Sequence, residues 1–430
     1  MIPIIYLDTP EGKEKVDKIL KRSQLEHGNV QQIVDGILAD VKANGDKALF
    51  GYTEKFDRLK LSADTLKVTK EEIEEAYKSV DEDLLRVIRR SADRIRVFHE
   101  KQKRNSWIEP DYNGETLGQL IRPLERVGVY VPGGKAAYPS SVLMNIVPAK
   151  VAGVPEIYMV TPAKADGKIP ATTIVAAVEA GADVIYKVGG AQAIAALAFG
   201  TESVKKVDKI VGPGNIFVAL AKKSVYGHVN IDSVAGPSEI LVIADESADP
   251  VFVAADLLSQ AEHDELASAV LITTSDKLAK EVQKEVDEQT ARLERKDIIN
   301  KSVENYGAVI VTKTIEEACE LSNHIAPEHL EISTSSPFEL LNLIKNAGAV
   351  FLGHYSPEPL GDYMAGPNHV LPTGQTAKFF SPLNVDDFIK KSSIIHFTKD
   401  ALMNLSDDII KFAQAEGLTA HANSIRVRKN

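Results

Sequence analysis

The chain has 430 residues, 44% hydrophobic and 26% charged, with 50 basic and 61 acidic side chains giving a net charge of -11. That is too long for one compact domain and apolar enough for more than one core. It also lacks the basic block that nucleic-acid binding requires, and the charge-free run 136–149 is too short to span a bilayer.

Met1 to Asp8 has no basic region followed by a small-residue cleavage site, so no signal peptide is expected. Cys319 is the only cysteine, which excludes an intrachain disulfide and points to a reducing cytoplasm. It falls within a helical pattern and reads as a packed residue.

In chain order, apolar residues recur at helical spacing through 11–60, with Gly28-Asn29 between two helices and a break at Asn44-Gly45. Thr69 and Glu72 form a capping box that starts the next helical region, which runs to about 104. From 117 the texture changes to strands at 118–123 and 126–131, then alternating helices and strands. Helices are predicted over 140–151, 170–180, 192–199 and 215–225, and strands over 156–161, 182–188 and 209–212. A second alternating region covers about 238–353, with strands at 240–243, 268–273, 307–312, 330–333 and 349–352. Its helices are predicted at 250–260, 278–298 and 315–322, with another starting at Ser336-Pro337. The C-terminus closes with a helix over 407–416. Strands alternating with helices of about ten residues imply parallel sheets, hence an α/β protein with two sheet-containing regions.

Several stretches could carry chemistry. His324-Ile325-Ala326-Pro327-Glu328-His329-Leu330-Glu331 places a carboxylate beside an imidazole at a turn between regular elements, a way to hold two proton-handling groups together. Alone, it is more simply a proline-containing turn. Gln260 and His263 are three apart at a helix end and can face one ion, or can be an ordinary polar helix end. Gly361-Asp362-Tyr363 through His369 is a glycine-framed loop with an Asp and a His, and Glu416 to His421 adds a carboxylate and an imidazole. His27, His99, His228, His354 and His396 are isolated and read as surface or packing residues. No G-x-G-x-x-G occurs, but Gly189-Gly190-Ala191-Gln192 and Gly212-Pro213-Gly214-Asn215 each join a strand to a helix, where backbone and helix N-terminus can meet an anionic ligand.

Taken together these stretches resemble the histidinol dehydrogenase family. The strings that carry the likeness are Val131-Pro132-Gly133-Gly134, Gly190 to Leu197, Gly212 to Asn215, Ala235-Gly236-Pro237-Ser238-Glu239, Ser259 to Asp264, Ala326 to Leu330, Gly361-Asp362-Tyr363 and Gly366 to Thr373, all in family order. The resemblance implies a cytoplasmic, zinc- and NAD-dependent enzyme that oxidises L-histidinol through L-histidinaldehyde to L-histidine, the final step of histidine biosynthesis. It implies zinc held by Gln260, His263, Asp362 and His421. Glu328 would activate water and His329 would be the general base. Ser238, Gln260, His263, His329, Asp362, Glu416 and His421 would contact substrate, and Tyr130, Gln192 and Asn215 would contact NAD. It further implies two parallel-sheet, incomplete Rossmann-like domains with helical N-terminal and C-terminal extensions. The division would be 1–25, then 26–128 with 239–380, then 129–238, and last 381–430, which would complete the site of the other subunit in an intertwined homodimer. On the residues alone, a metal-dependent hydrolase with Glu328 as base and a non-catalytic metal-binding protein remain rival readings.

Overall fold

A computed structural model describes residues 1–22, 28–133, 137–234 and 236–429. His27, Gly134 and Ala235 lie outside the described residues. The described strands are β1 (Ile4–Tyr6), β2 (Trp107–Pro110), β3 (Glu115–Pro123), β4 (Arg126–Tyr130), β5 (Glu156–Val160), β6 (Val184–Tyr186), β7 (Lys209–Val211), β8 (Asn230–Ile231), β9 (Glu239–Ala244), β10 (Ser268–Thr273), β11 (Ala308–Val311), β12 (His329–Ser333), β13 (Ala349–Leu352) and β14 (Ile389–Phe397). They form a six-stranded sheet in the order β1-β11-β10-β9-β12-β13 and a five-stranded sheet in the order β6-β5-β4-β7-β8. Both are parallel throughout. This is the α/β architecture with two parallel sheets expected from the alternating pattern, and it has the Rossmann-like character that the resemblance implies.

The chain divides into two compact units, Met1–Gln102 with Glu125–Phe388, and Lys103–Leu124 with Ile389–Asn430. The first holds both parallel sheets. The second holds an antiparallel sheet in the order β14-β3-β2 and the helices Lys399–Ala415 and Thr419–Lys429. No helix among the described residues is long and apolar enough to cross a membrane.

β9, β10 and β12 are buried along their whole length, so both faces of the six-stranded sheet are covered. The alternation of side chains sorts them into two cores. Ile240, Val242 and Leu271 pack with Val253, Leu257 and Val282 on one face. Leu241, Ile243, Leu330 and Ile332 pack with Val16, Ile19, Ala318 and Ile325 on the other. Cys319 is buried in that second core, where burial pushes its thiol up to about 11, so it packs and does not react. Helix Gly28–Asp57, interrupted at Gly45 (φ 51°), packs on helices Gly190–Phe199 and Ile216–Val225. Helices Lys70–Ser79 and Glu82–Glu100 pack on Ala171–Ala180 and Pro139–Ala152. The helices of 28–100 thus cover the helices of the five-stranded sheet, whereas β1 and helix Pro10–Lys21 join the six-stranded one.

Some elements differ from the sequence reading. The helix predicted over 278–298 is two, Asp276–Thr290 and Lys296–Tyr306. The segment after Ser336 forms a 3₁₀ turn, Pro337–Leu343, rather than an α-helix. β1 and β14 were not legible: β1 has three residues and is fixed by pairing Ile4, Ile5 and Tyr6 to Val309, Ile310 and Val311. β14 is defined by nine pairings with β3, from Ile389 opposite Pro123 to Phe397 opposite Glu115.

The turn Gly212-Pro213-Gly214-Asn215 is set by close backbone approach. Gly212 has φ 111°, and a Cβ there would lie 2.1 Å from the Tyr130 carbonyl oxygen. Its N–H donates to Asp232 Oδ2 at 2.7 Å, its carbonyl accepts from Lys222 Nζ at 2.8 Å, and Lys222 is itself paired with Asp232. Gly36, by contrast, is exposed inside a helix with open space around it. In urea denaturation, Gly212→Ala should therefore lose more than about 2 kcal/mol, while Gly36→Ala should gain about 0.5–1 kcal/mol.

Candidate active site

The turn into β12 is under strain. Helix Ile315–Ile325 is capped by Ala326, a non-glycine residue at φ 51°, with its N–H donating to Ser322 O at 2.8 Å. Pro327 then directs Glu328 and His329 to the start of β12. Gly348 closes the backbone from the neighbouring side: its N–H donates to Pro327 O at 2.9 Å, and a Cβ there would lie 2.5 Å from Glu328 O.

β12 pairs with β9 so that His329 lies beside Ile240 and Glu331 beside Val242. Leu330 and Ile332 enter the aliphatic core on one face. His329 and Glu331 therefore share the opposite face, which helix Pro250–Ala261 covers. Such positions are ordinarily aliphatic.

Glu328 and Glu239 exchange backbone hydrogen bonds. Glu239 N–H donates to Glu328 Oε2 at 2.9 Å, and Glu328 N–H donates to Glu239 Oε2 at 3.2 Å. Glu239 also accepts from Gly374 N–H at 3.1 Å and from the Arg22 guanidinium. Its charge is thereby matched, although burial still raises its carboxyl. Glu328 has no such cation, and burial pushes its carboxyl well above the usual carboxylate range.

His329 Nδ1 lies 3.0 Å from the Glu239 carbonyl oxygen, to which only a protonated ring nitrogen can donate. Nε2 is then the free lone pair. Burial lowers the imidazole to about 4, so the ring is neutral at pH 7. Nε2 faces Glu358 Oε1 at 3.9 Å.

Glu358 is a residue that the sequence reading missed. It is buried, takes a bond from Ser259 Oγ at 3.3 Å, and donates its backbone N–H to Glu331 Oε1 at 2.8 Å. Burial, with Asp362 beside it, raises its carboxyl to about 8. Glu331 is likewise raised by burial and by Asp256, itself pushed to about 6. Asp362 follows β13 and lies 3.2 Å from His369 Nδ1, without hydrogen-bond alignment. Burial works to raise Asp362, but His369 and His329 hold it below the usual range. The 361–369 loop is anchored by Ser91 Oγ donating to Tyr363 O at 2.6 Å and Asn368 Nδ2 donating to Met144 O at 2.7 Å.

His329, Glu358 and Asp362 present ligand atoms within 4.8 Å of one another and could hold a metal ion. Gln260 lies one turn beyond Asp256 on the same helix face; it is fully buried, and neither its amide oxygen nor its nitrogen has a partner. His263 is exposed just past that helix, close enough for its charge to act on His329. Ser238 directly precedes Glu239 and accepts from Ser268 N–H at 3.0 Å through its carbonyl. Glu416 and His421 belong to the second compact unit, where both are exposed, Glu416 capping helix Lys399–Ala415 and His421 in the first turn of Thr419–Lys429. His324 is exposed in the last turn of its helix.

Tyr130, Gln192 and Asn215 line one cavity of about 480 Å³. It lies at the carboxyl ends of β4 and β7, where the strand order of the five-stranded sheet reverses direction. Tyr130 Oη accepts from Gly190 N–H at 3.1 Å, and Asn215 Oδ1 caps helix Ile216–Val225. Both helix N-termini thus open on the cavity, as suits an anionic ligand.

Comparison with known proteins agrees with this layout. The sequence model of histidinol dehydrogenase matches residues 20–429. Histidinol dehydrogenase from Clostridium acetobutylicum is 56% identical over 428 residues, covering 100% of this chain and 99% of that protein. The one from Caldanaerobacter subterraneus subsp. tengcongensis is 58% identical over 412 residues, covering 96% and 95%. The crystal structure of histidinol dehydrogenase from Elizabethkingia anophelis superposes with a TM-score of 0.94 at 38% identity, covering 99% of this chain and 98% of that one. A match that spans both sheets and the strands and loops bearing Glu328, His329, Asp362 and Gln260 places this chain in the histidinol dehydrogenase family.

Proposed function

We propose that the chain is a zinc- and NAD-dependent dehydrogenase that oxidises L-histidinol through L-histidinaldehyde to L-histidine, the last step of histidine biosynthesis. The observation that carries the reading is the pairing of a neutral His329, its tautomer set by the Glu239 carbonyl, with the buried carboxyl of Glu328. When bound, NAD supplies the hydride acceptor and zinc a template for the substrate's imidazole and amine. Gln260, His263 and Asp362, with His421 of the partner subunit, would hold the metal. The unpartnered, fully buried amide of Gln260 fits that role. Ser238, and Glu416 of the partner subunit, would meet the substrate in an intertwined homodimer.

His329 Nε2 takes the hydroxyl proton as hydride leaves the carbinol carbon, giving the aldehyde. Glu328, ionised, takes a proton from water as that water adds to the aldehyde carbon, while the proton held on His329 Nε2 passes to the aldehyde oxygen, which completes the diol and returns His329 to its neutral form. His329 then takes a hydroxyl proton of the resulting diol as the second hydride leaves, giving the carboxylic acid, which ionises at pH 7. Burial of Glu328 makes it a stronger base once ionised, and the enclosing strands and loops exclude bulk water from both groups.

A second reading comes from the proximity of His329, Glu358 and Asp362, which would make His329 a metal ligand rather than a base. Zinc content separates the two. His329→Asn should keep its zinc under the first reading and lose it under the second, and in either case its turnover should fall by about 10²–10⁴-fold. Glu328→Gln should impair aldehyde oxidation more than alcohol oxidation. Since Glu328 works only when ionised and its carboxyl is raised, aldehyde oxidation should increase with pH above the ordinary carboxylate range. Stopped-flow profiles should show that limb in the wild type and not in Glu328→Gln.

The overall activity is tested by adding L-histidinol and NAD⁺ and following reduced nicotinamide by absorbance. Reduction should require histidinol, stop on chelation and return with Zn²⁺; no signal with histidinol would refute the assignment. The shared site is tested by mixing two inactive variants, His421→Asn and His329→Asn. Hybrid dimers should recover part of the activity, and no recovery would exclude completion of the site by the partner.

A further inference from the structure

Asp57 is the last residue of helix Gly28–Asp57, and it lines the same cavity as Tyr130, Gln192 and Asn215. A carboxylate there is poorly placed for stability. It stands at the negative end of a helix, where cations are favoured. Its Oδ2 is shielded from solvent and has no hydrogen-bond partner, although buried polar atoms are nearly always paired. Burial raises its carboxyl above the usual range. Its charge also acts on the Tyr130 phenol, which puts both polar groups on one part of the wall. The rest of that wall includes the flat apolar surfaces of Pro132, Pro162 and Phe217.

These features describe an acceptor lacking its donor. An ionised carboxylate offers only acceptor oxygens, so the complementary ligand group is a hydroxyl or amine. In a dinucleotide, a ribose presents two adjacent hydroxyls. We propose that Asp57 accepts hydrogen bonds from a ribose diol of the dinucleotide bound in this cavity, and that it thereby selects the cofactor lacking a 2′-phosphate. The proposal rests on the dinucleotide reading of the cavity given above. A phosphate at that position would bring like charge against a carboxylate that is partly desolvated, with no buried cation among the lining residues to offset it. Lys164, the one basic lining residue, is exposed, and solvent screens it. In dinucleotide folds with a glycine fingerprint an acid near the sheet reads the same diol. This chain has no such fingerprint, and here the acid comes from the end of a helix packed over the sheet's own helices.

The test is calorimetric titration of the zinc-loaded protein with NAD⁺ and with NADP⁺, without substrate. The wild type should bind NAD⁺ at least ~10-fold more tightly than NADP⁺. Asp57→Asn, which keeps the shape, should weaken NAD⁺ by roughly 10-fold or more, the value of a charged hydrogen bond, and leave NADP⁺ unchanged or tighter. Asp57→Glu should retain the preference for NAD⁺. Equal weakening of both ligands in Asp57→Asn would show a structural role and overturn the proposal, as would unchanged binding of both. A wild type that binds neither dinucleotide would overturn the cofactor reading itself and the proposal with it, whereas NAD⁺ binding unaffected by Asp57→Asn overturns the proposal alone. Melting temperatures of the variants, measured alongside, separate lost folding from lost recognition.

Discussion

His329 and Glu331 occupy two positions of a central parallel strand whose neighbours on the same face, Ile240 and Val242, are aliphatic. Moving one ionised carboxylate from water into a protein interior costs several kcal/mol even after relaxation. Here Glu328, Glu331, Glu358 and His329 are all buried together, with Asp362 nearly so. The protein meets that cost by changing protonation. Burial raises Glu328, Glu331 and Glu358 and lowers His329, so these four favour neutral forms, whereas Asp362 beside His369 is held below the usual carboxylate range. That is also what proton-handling chemistry near neutral pH demands of its groups, so the destabilising feature of the fold is the one that suits the reaction.

Backbone groups, more than side chains, keep this cluster in register. The Glu239 carbonyl fixes which nitrogen of His329 carries the proton, and the Glu239 N–H holds the Glu328 carboxylate. Glu358 N–H holds Glu331 in the same way. Partners built into a parallel ladder cannot rotate away, so the orientation of both groups follows from strand register. The strained Ala326 and the close approach of Gly348 belong to the same device, because they set where the strand begins and therefore which residue is first on the buried face.

The alternating α/β pattern was legible because long helices and buried strands leave periodic apolar marks. β1 left none, since three residues cannot establish a period and only pairing with β11 makes it a strand. The break at 291–295 leaves no mark in the sequence, because Ala291 to Arg295 contains neither glycine nor proline. Glu328, His329, Gln260 and Asp362 could be singled out from unusual local strings. Glu358 could not, because its role depends on burial against Ser259 and Glu331, 99 and 27 residues away. The strand itself carries a further signal: His329-Leu330-Glu331-Ile332 alternates polar and aliphatic residues in a sheet covered on both faces, which requires that the polar pair be buried.

The two parallel sheets bury charge in opposite ways. In and around the five-stranded sheet, each buried lysine has an acidic partner: Lys187 with Glu72, Lys209 with Asp387, and Lys222 with Asp232. Each of these is a matched pair, and each ties a strand or turn to a neighbouring segment. At the start of β9, Arg22 and Glu239 also make a matched pair, but Glu239 alternates with Leu241 onto the face of the six-stranded sheet opposite His329. Among the described residues, Glu328, Glu331, Glu358, Asp256 and Asp362 stand together with His329, His369 and His263 as the nearby imidazoles, and His329 is held neutral. A structural network selected for stability would be expected to approach charge balance, as the lysine pairs do. Carboxyls that burial keeps protonated would ionise beside a bound cation, so this group of acids next to an unpartnered Gln260 amide suits a metal on the His329 face whichever donors hold it.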